Sequence, residues 1–168
     1  RGEFEKAWLV FTSNLAYTLS HDCYQTVERI DVYESNFAPF QPNPSGNGRL
    51  LDMFKRMVVD EQDPRTLWLL RGCPRAWLAP GQSVRASDAP TAFGTVGVES
   101  RSTEGAVVVQ IDPPAQWPPD GLRVVVRRPG GGRWSRITVN GHRAELEDGI
   151  ETVRVRKACR HLTLVCQP

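Results

Sequence analysis

The 168-residue sequence predicts an α+β chain, helical at first and continuing as an antiparallel β-sandwich. Three observations carry that expectation. The hydrophobic period changes from helical to alternating at Asp63-Pro64. The charge balance reverses at the same place. Residues 1–64 hold six Lys and Arg against ten Asp and Glu, and residues 65–168 hold fifteen against nine. Beyond Pro64, short apolar alternations are separated by turn signals, as the strands of a sandwich would be. The expected units are therefore 1–64 and 65–168, with the boundary within 62–66.

A first helix is predicted over 3–20, where Phe4, Ala7, Trp8, Phe11, Leu15 and Leu19 recur at helical spacing. Leu9, Val10 and Tyr17 make its other faces apolar, the pattern of a helix buried in a larger body. Residues 21–48 read as a long connector, with Pro42, Pro44, Gly46 and Gly48 marking its second part as loop. A connector of that length is usually functional or disordered. A second helix is predicted over 49–61, with Asn47 as its N-cap and Asp63-Pro64 as its stop.

The β part opens with a strand at 67–70 and a helical turn over Pro74–Leu78. Strands follow at 84–87, 93–101, 106–111 and 122–128. Val107/Val109/Ile111 and Leu122/Val124/Val126 give the clearest alternations, each with one apolar face. Thr103-Glu104-Gly105 reads as a hairpin loop. Asn140-Gly141, between Ile137/Val139 and Ala144/Leu146, is the strongest hairpin signal in the chain. Gly130-Gly131-Gly132 is a flexible turn, and Pro113-Pro114 and Pro118-Pro119 form a stiff connector. Strands near 150–155 and 162–166 bring the β part to eight or nine.

Composition narrows the function classes. The hydrophobic fraction of 40% and charged fraction of 24% are those of a globular protein. No apolar run approaches the roughly 20 residues needed to span a bilayer, so no membrane partner is expected. The arginines of the β part are scattered along strands, which reads as solvated faces and not as a nucleic-acid surface. The four cysteines, at 23, 73, 159 and 166, lack zinc spacing. Their even number permits disulfides without requiring them. Cys166 continues the alternation of Leu162 and Leu164 and is expected as a buried free thiol. No phosphate-binding glycine loop is present. Neither His142 nor His161 has a Ser or Cys partner in a recognisable motif. No cofactor is expected. The chain opens on Arg1, not Met, which reads as a processed or truncated product. Glu3, Glu5 and Lys6 exclude a signal peptide at this position. The compartment stays open, with secretion or the periplasm compatible.

One combination of motifs is more specific. A buried helix, a long loop and a second helix precede Pro74-Arg75-Ala76-Trp77-Leu78, then Asp88-Ala89-Pro90-Thr91-Ala92-Phe93-Gly94, then Ile137-Thr138-Val139-Asn140-Gly141. Over essentially the whole chain this order resembles the last barrel helices and C-terminal β-sandwich of bacterial six-hairpin glycosidases. The resemblance implies that the helices close an (α/α)6 barrel whose larger part lies upstream of Arg1. It implies a glycoside hydrolase-like parent acting on a carbohydrate substrate, a sandwich that supports the barrel, and a chain inactive alone.

In such enzymes two carboxyl groups flank the glycosidic bond. The connector supplies Asp22, Glu28, Asp31 and Glu34. Glu28 is the catalytic candidate, because Thr26-Val27-Glu28 resembles a family loop segment. A solvated loop carboxylate is the plainer alternative. Tyr24, Tyr33 and Glu34 are the candidate substrate contacts, with Phe37 and Phe40 nearby in sequence. Aromatic faces stack on sugar rings, and the same side chains serve equally as loop anchors. Two rival functions stand beside this one. A non-catalytic carbohydrate-binding sandwich would display an exposed row from Trp68, Trp77, Trp117 and Trp134. A basic β-domain binding acidic polymers would display a contiguous patch from Arg123, Arg127, Arg136, Arg154 and Arg156.

Overall fold

The computed structural model describes residues 4–19, 26, 43–147 and 150–168. Contacts divide the chain into two units, Arg1–Phe54 and Lys55–Pro168. The α+β class is observed: the described residues form two helices and two sheets, of four and six strands.

In the first unit, α1 covers Phe4–Thr18. Its Trp8 stacks on Phe11 at 5.5 Å, and Phe11 meets Phe54 edge-on at 5.0 Å. Phe11 is the buried residue of this cluster. The pattern around α1 predicts burial on every face, yet Leu9 is 65% exposed and Val10 59% exposed. The second helix, α2, spans Pro44–Val58, which corrects the expected 49–61 at both ends. Its N-cap is Asn43, whose side-chain oxygen accepts the Gly46 N–H at 3.0 Å, and Pro44 takes the first helical position. Both are start signals, because an N-cap oxygen satisfies an orphan amide and proline has none to satisfy. Asn47, the expected cap, lies inside the helix and binds Thr26 instead. Its side-chain oxygen accepts both the backbone N–H and the hydroxyl of Thr26, at 2.8 and 2.9 Å.

The second unit explains why α2 stops early. The last carbonyls of a helix need donors from elsewhere. Here the Met57 carbonyl accepts from Gly72 N–H at 2.8 Å and the Val58 carbonyl from Leu70 N–H at 2.7 Å. The chain then turns directly into β1 (Val59–Asp60), which pairs with β2 (Leu67–Leu69). A 3-10 turn, η1, covers Arg75–Leu78, as the sequence predicts. The remaining strands are β3 (Ser83–Thr91), β4 (Gly94–Ser102), β5 (Val107–Asp112), β6 (Leu122–Val125), β7 (Arg136–Val139), β8 (His142–Arg143), β9 (Thr152–Val155) and β10 (Leu162–Gln167).

The small sheet has the order β1-β2-β6-β9 and the large one β3-β4-β5-β10-β7-β8. The expectation of a purely antiparallel arrangement is corrected at one pair: β2 and β6 run parallel, Leu67 opposite Leu122. Between them the chain builds β3, β4 and β5 in the other sheet and re-enters beside β2 in the same direction. A parallel pair needs such a long crossover. Two strand ends also differ. The strand expected to stop at Ser87 continues to Thr91 through a bulge between Ala86 and Ala89. The strand expected to reach Arg128 ends at Val125. The Asn140-Gly141 hairpin is present: Val139 pairs with His142, and both turn residues have positive φ, 49° and 81°. That is the two-residue turn whose twist suits a hairpin.

One contiguous core serves both sheets. Leu67, Leu69, Leu122, Val124 and Val153 enter it from the small sheet, and Val96, Val98, Val109, Ile111 and Leu164 from the large one. Leu78 of η1 fills it from the side. Each such side chain contributes about 1.5–3 kcal/mol by leaving water, which is why the alternation in these strands is so regular.

Candidate functional site

The residues singled out for carbohydrate chemistry, Glu28, Tyr24, Tyr33 and Glu34, lie outside the described residues, as do Asp22, Asp31, Phe37 and Phe40. Between residues 20 and 42 Thr26 alone is described. It is buried, and Asn47 holds it by both its backbone and its hydroxyl. Thr26 also forms an isolated antiparallel bridge with Leu19.

The four tryptophans of the β part are all engaged. Trp134 is buried and donates Nε1–H to the Val126 carbonyl at 2.7 Å. Trp77 and Trp117 pack against the core, and Trp117 donates to the Arg156 carbonyl at 3.1 Å. Trp68 is in cation–π contact with the guanidinium groups of both Arg71 and Arg123, at 4.5 and 5.1 Å from its ring centre. Three of the five arginines named as a basic patch are engaged too. Arg123 and Arg154 face each other across β6 and β9, a like-charged pair that would repel. Both contact the Glu147 carboxylate, at 2.7 and 3.3 Å, and Arg154 also lies 3.9 Å from Asp120. Hydrogen bonding from Arg123 holds the Glu147 carboxyl below its usual range, and hydrogen bonding from Arg65 does the same for Asp120. Arg127 is buried and directed into the protein.

A concave polar site lies elsewhere, on the face of the large sheet turned away from the core. It is a cavity of about 530 Å³. Outward positions of β3, β4, β5 and β10 line it, because period-two alternation places every second residue there. One cross-strand row runs Arg85–Glu99–Gln110–Thr163. In the next row Gly97 faces Asp112. His161, which precedes β10, completes that row, with Nδ1 3.5 Å from Asp112 Oδ1. On the far side the β3 bulge carries Asp88, in the left-handed region at φ 51°.

The polar groups differ in commitment. Glu99 is paired with Arg101 at 2.7 Å, and Arg85 donates to Ser87 at 2.9 Å. Gln110 is exposed, and among the described residues its amide has no hydrogen-bond partner. Sequence alone marks His161 as a histidine without a nucleophile and Asp88 as part of a motif. It gives no sign of Arg85, Glu99, Gln110 or Asp112, which read singly as solvated strand surface. Gly97 is the one available signal, since glycine inside a strand often marks a close approach. No group of three metal-ligating side chains occurs among the described residues. The arrangement offers donors and acceptors of hydrogen bonds side by side.

Comparison with known proteins returned no match: no family model fits the chain, and no curated protein or solved structure is similar to it.

Proposed function

We propose that the chain is the C-terminal part of a carbohydrate-active, glycoside hydrolase-like protein. Its helices belong to the end of an α/α barrel, and its β half is a sandwich that supports the barrel and is inactive alone. The observation that carries this reading is the apolar surface of the two helices. Leu9 and Val10 on α1 and Leu51 on α2 are 65%, 59% and 70% exposed, and Met53 and Phe54 are exposed beside them. The β unit, by contrast, closes a core of its own. Apolar side chains concentrated on paired helices mark a surface made to be covered. Further helices of the same barrel would cover it.

The rival readings have less support. The tryptophans that a flat sugar-binding platform would use are turned to the core, to backbone carbonyls or to arginines. Arg123 and Arg154 are neutralised by acids, and Arg127 is buried.

The test is glycoside hydrolysis on a panel of aryl glycosides and oligosaccharides. The isolated chain is expected to show none. In the intact protein, Glu28→Gln is expected to lower turnover by orders of magnitude with an unchanged melting temperature. Turnover by the isolated chain would overturn the proposal. Near-normal turnover by intact Glu28→Gln would return Glu28 to the solvated loop.

A further inference from the structure

The cavity on the large sheet coincides with three departures from regular strand structure. The first is Gly97. It sits mid-strand in β4 without a positive φ, so the backbone does not require glycine there, and glycine in a strand is destabilising. A Cβ at Gly97 would stand 3.1 Å from Asp112 Oδ2 and 3.3 Å from Asp112 Cβ. The absent side chain therefore leaves room for Asp112 and opens the floor of the cavity. The second is the β3 bulge opposite Gly97, which lifts one wall. The third is Asp88 on that bulge, whose left-handed backbone a regular strand would not adopt. Strain of this kind concentrates at binding sites.

We infer that this cavity binds a neutral saccharide, one or two sugar rings in size, through hydrogen bonds to its hydroxyl groups. The volume lies within the range of about 300–1,000 Å³ usual for small-ligand sites. Its lining selects against other ligand classes. Asp88, Glu99 and Asp112 oppose an anion, with Arg85 the one arginine in the lining and His161 set against Asp112. The outward side chains are polar, which disfavours an apolar ligand. What suits a polyol is the alternation of carboxylate acceptors with donors: Asp112 beside His161, and Glu99 beside Gln110, which Thr163 flanks on its other side. A sugar hydroxyl both donates and accepts, so such a row satisfies adjacent hydroxyls together. The choice of a saccharide over other neutral polyols rests on the carbohydrate-active reading above.

The experiment follows the backbone amides of the 15N-labelled 168-residue chain during titration. The probes are glucose, galactose, mannose and xylose and their homodisaccharides, with magnesium chloride, calcium chloride and spermine as cationic probes. At least one saccharide is expected to shift Gly97, Glu99, Gln110 and Thr163 saturably, at about millimolar concentration. Gln110→Ala, an exposed change that leaves the core intact, is expected to weaken that binding about tenfold. Gly97→Leu is expected to abolish it. Absence of any saccharide shift at these residues overturns the inference. So does a larger effect from a divalent cation or spermine, or unchanged affinity in Gln110→Ala. The inference and the function proposal fail separately. A cavity that ignores sugars leaves the hydrolase proposal standing. Sugar binding here, joined to an intact protein without glycosidase activity, removes that proposal and keeps the site.

Discussion

Replacing Arg127 with alanine should unfold the β unit more readily than any change to its surface charges. Arg127 is only 9% exposed, and its Nη1 donates to three carbonyls of the segment after β2: Leu70 at 3.4 Å, Arg71 at 2.8 Å and Cys73 at 3.1 Å. Its Nε lies 3.5 Å from the Glu151 carboxylate, which also pairs with Arg75. Truncation removes the donor from those carbonyls and one of two cations from a carboxylate whose side chain is 12% exposed. Breaking a buried ion pair from one side costs about 3–5 kcal/mol, and the lost hydrogen bonds are part of that figure. Each kcal/mol moves the melting temperature of a unit this size by about 3–6 °C, so Arg127→Ala should lower it by roughly 10–30 °C. Arg127→Lys keeps the charge without the planar fork and should fall between. Arg65→Ala is the control: its pair with Asp120 is exposed and solvent-screened, and such pairs contribute little. Urea and thermal unfolding, read from tryptophan fluorescence, measure all three. If Arg127→Ala lies within about 1 kcal/mol of Arg65→Ala, the buried network does not hold the segment after β2.

Gly121→Ala combines a φ of 87° with a Cβ directed into the Val155 carbonyl, so a loss above about 3 kcal/mol or failure to fold is expected. Gly130→Ala, at φ 75° with nothing within 4 Å, should cost only about 1 kcal/mol in the same urea titration. Burial pushes the Cys73 and Cys166 thiols up to about 12. They should react with a disulfide reagent only as fast as the unit opens, while the less buried Cys159 reacts sooner. The sign follows from the raised values. The stability of keeping these thiols protonated is complete below their unfolded value near 9 and is lost as pH rises toward 12. Depressed carboxyls act at the other end. Glu147 and Asp120 favour the fold above their unfolded values of about 4.5 and 3.8, and that stability is lost as pH falls below them. A melting temperature that rises on acidification from pH 5 to pH 3 would contradict it.

What is legible in the sequence is local. The alternation of Val107, Val109 and Ile111 places β5, and Asn140-Gly141 places the β7–β8 hairpin, because neighbours in the chain decide both. The pairing of β2 with β6 is not legible, since the strands are far apart in sequence and nothing local records direction. The start of α2 is hidden by Gly46 and Gly48, which outweigh the Asn43-Pro44 cap when composition is the guide. The stop at Val58 depends on donors from Leu70 and Gly72, contacts that only the folded chain makes. The cavity is hidden for a related reason. Arg85, Glu99, Gln110 and Asp112 come from three strands and share a site only through register. The apolar pattern of α1 predicts burial, whereas Leu9 and Val10 are exposed, and the physical demand for a cover is the same in both descriptions.

The β unit closes its own core, whereas the helices leave Leu9, Val10 and Leu51 exposed, and the proposed barrel is what would cover them. Thermal unfolding of the two pieces, residues 55–168 and residues 1–54 expressed separately, tests that asymmetry most directly. The 55–168 piece is expected to be a soluble monomer that melts cooperatively near the temperature of the full chain. The 1–54 piece is expected to be unfolded or aggregated without further helices. A soluble, monomeric 1–54 with its own cooperative transition would contradict the asymmetry and the proposed barrel with it.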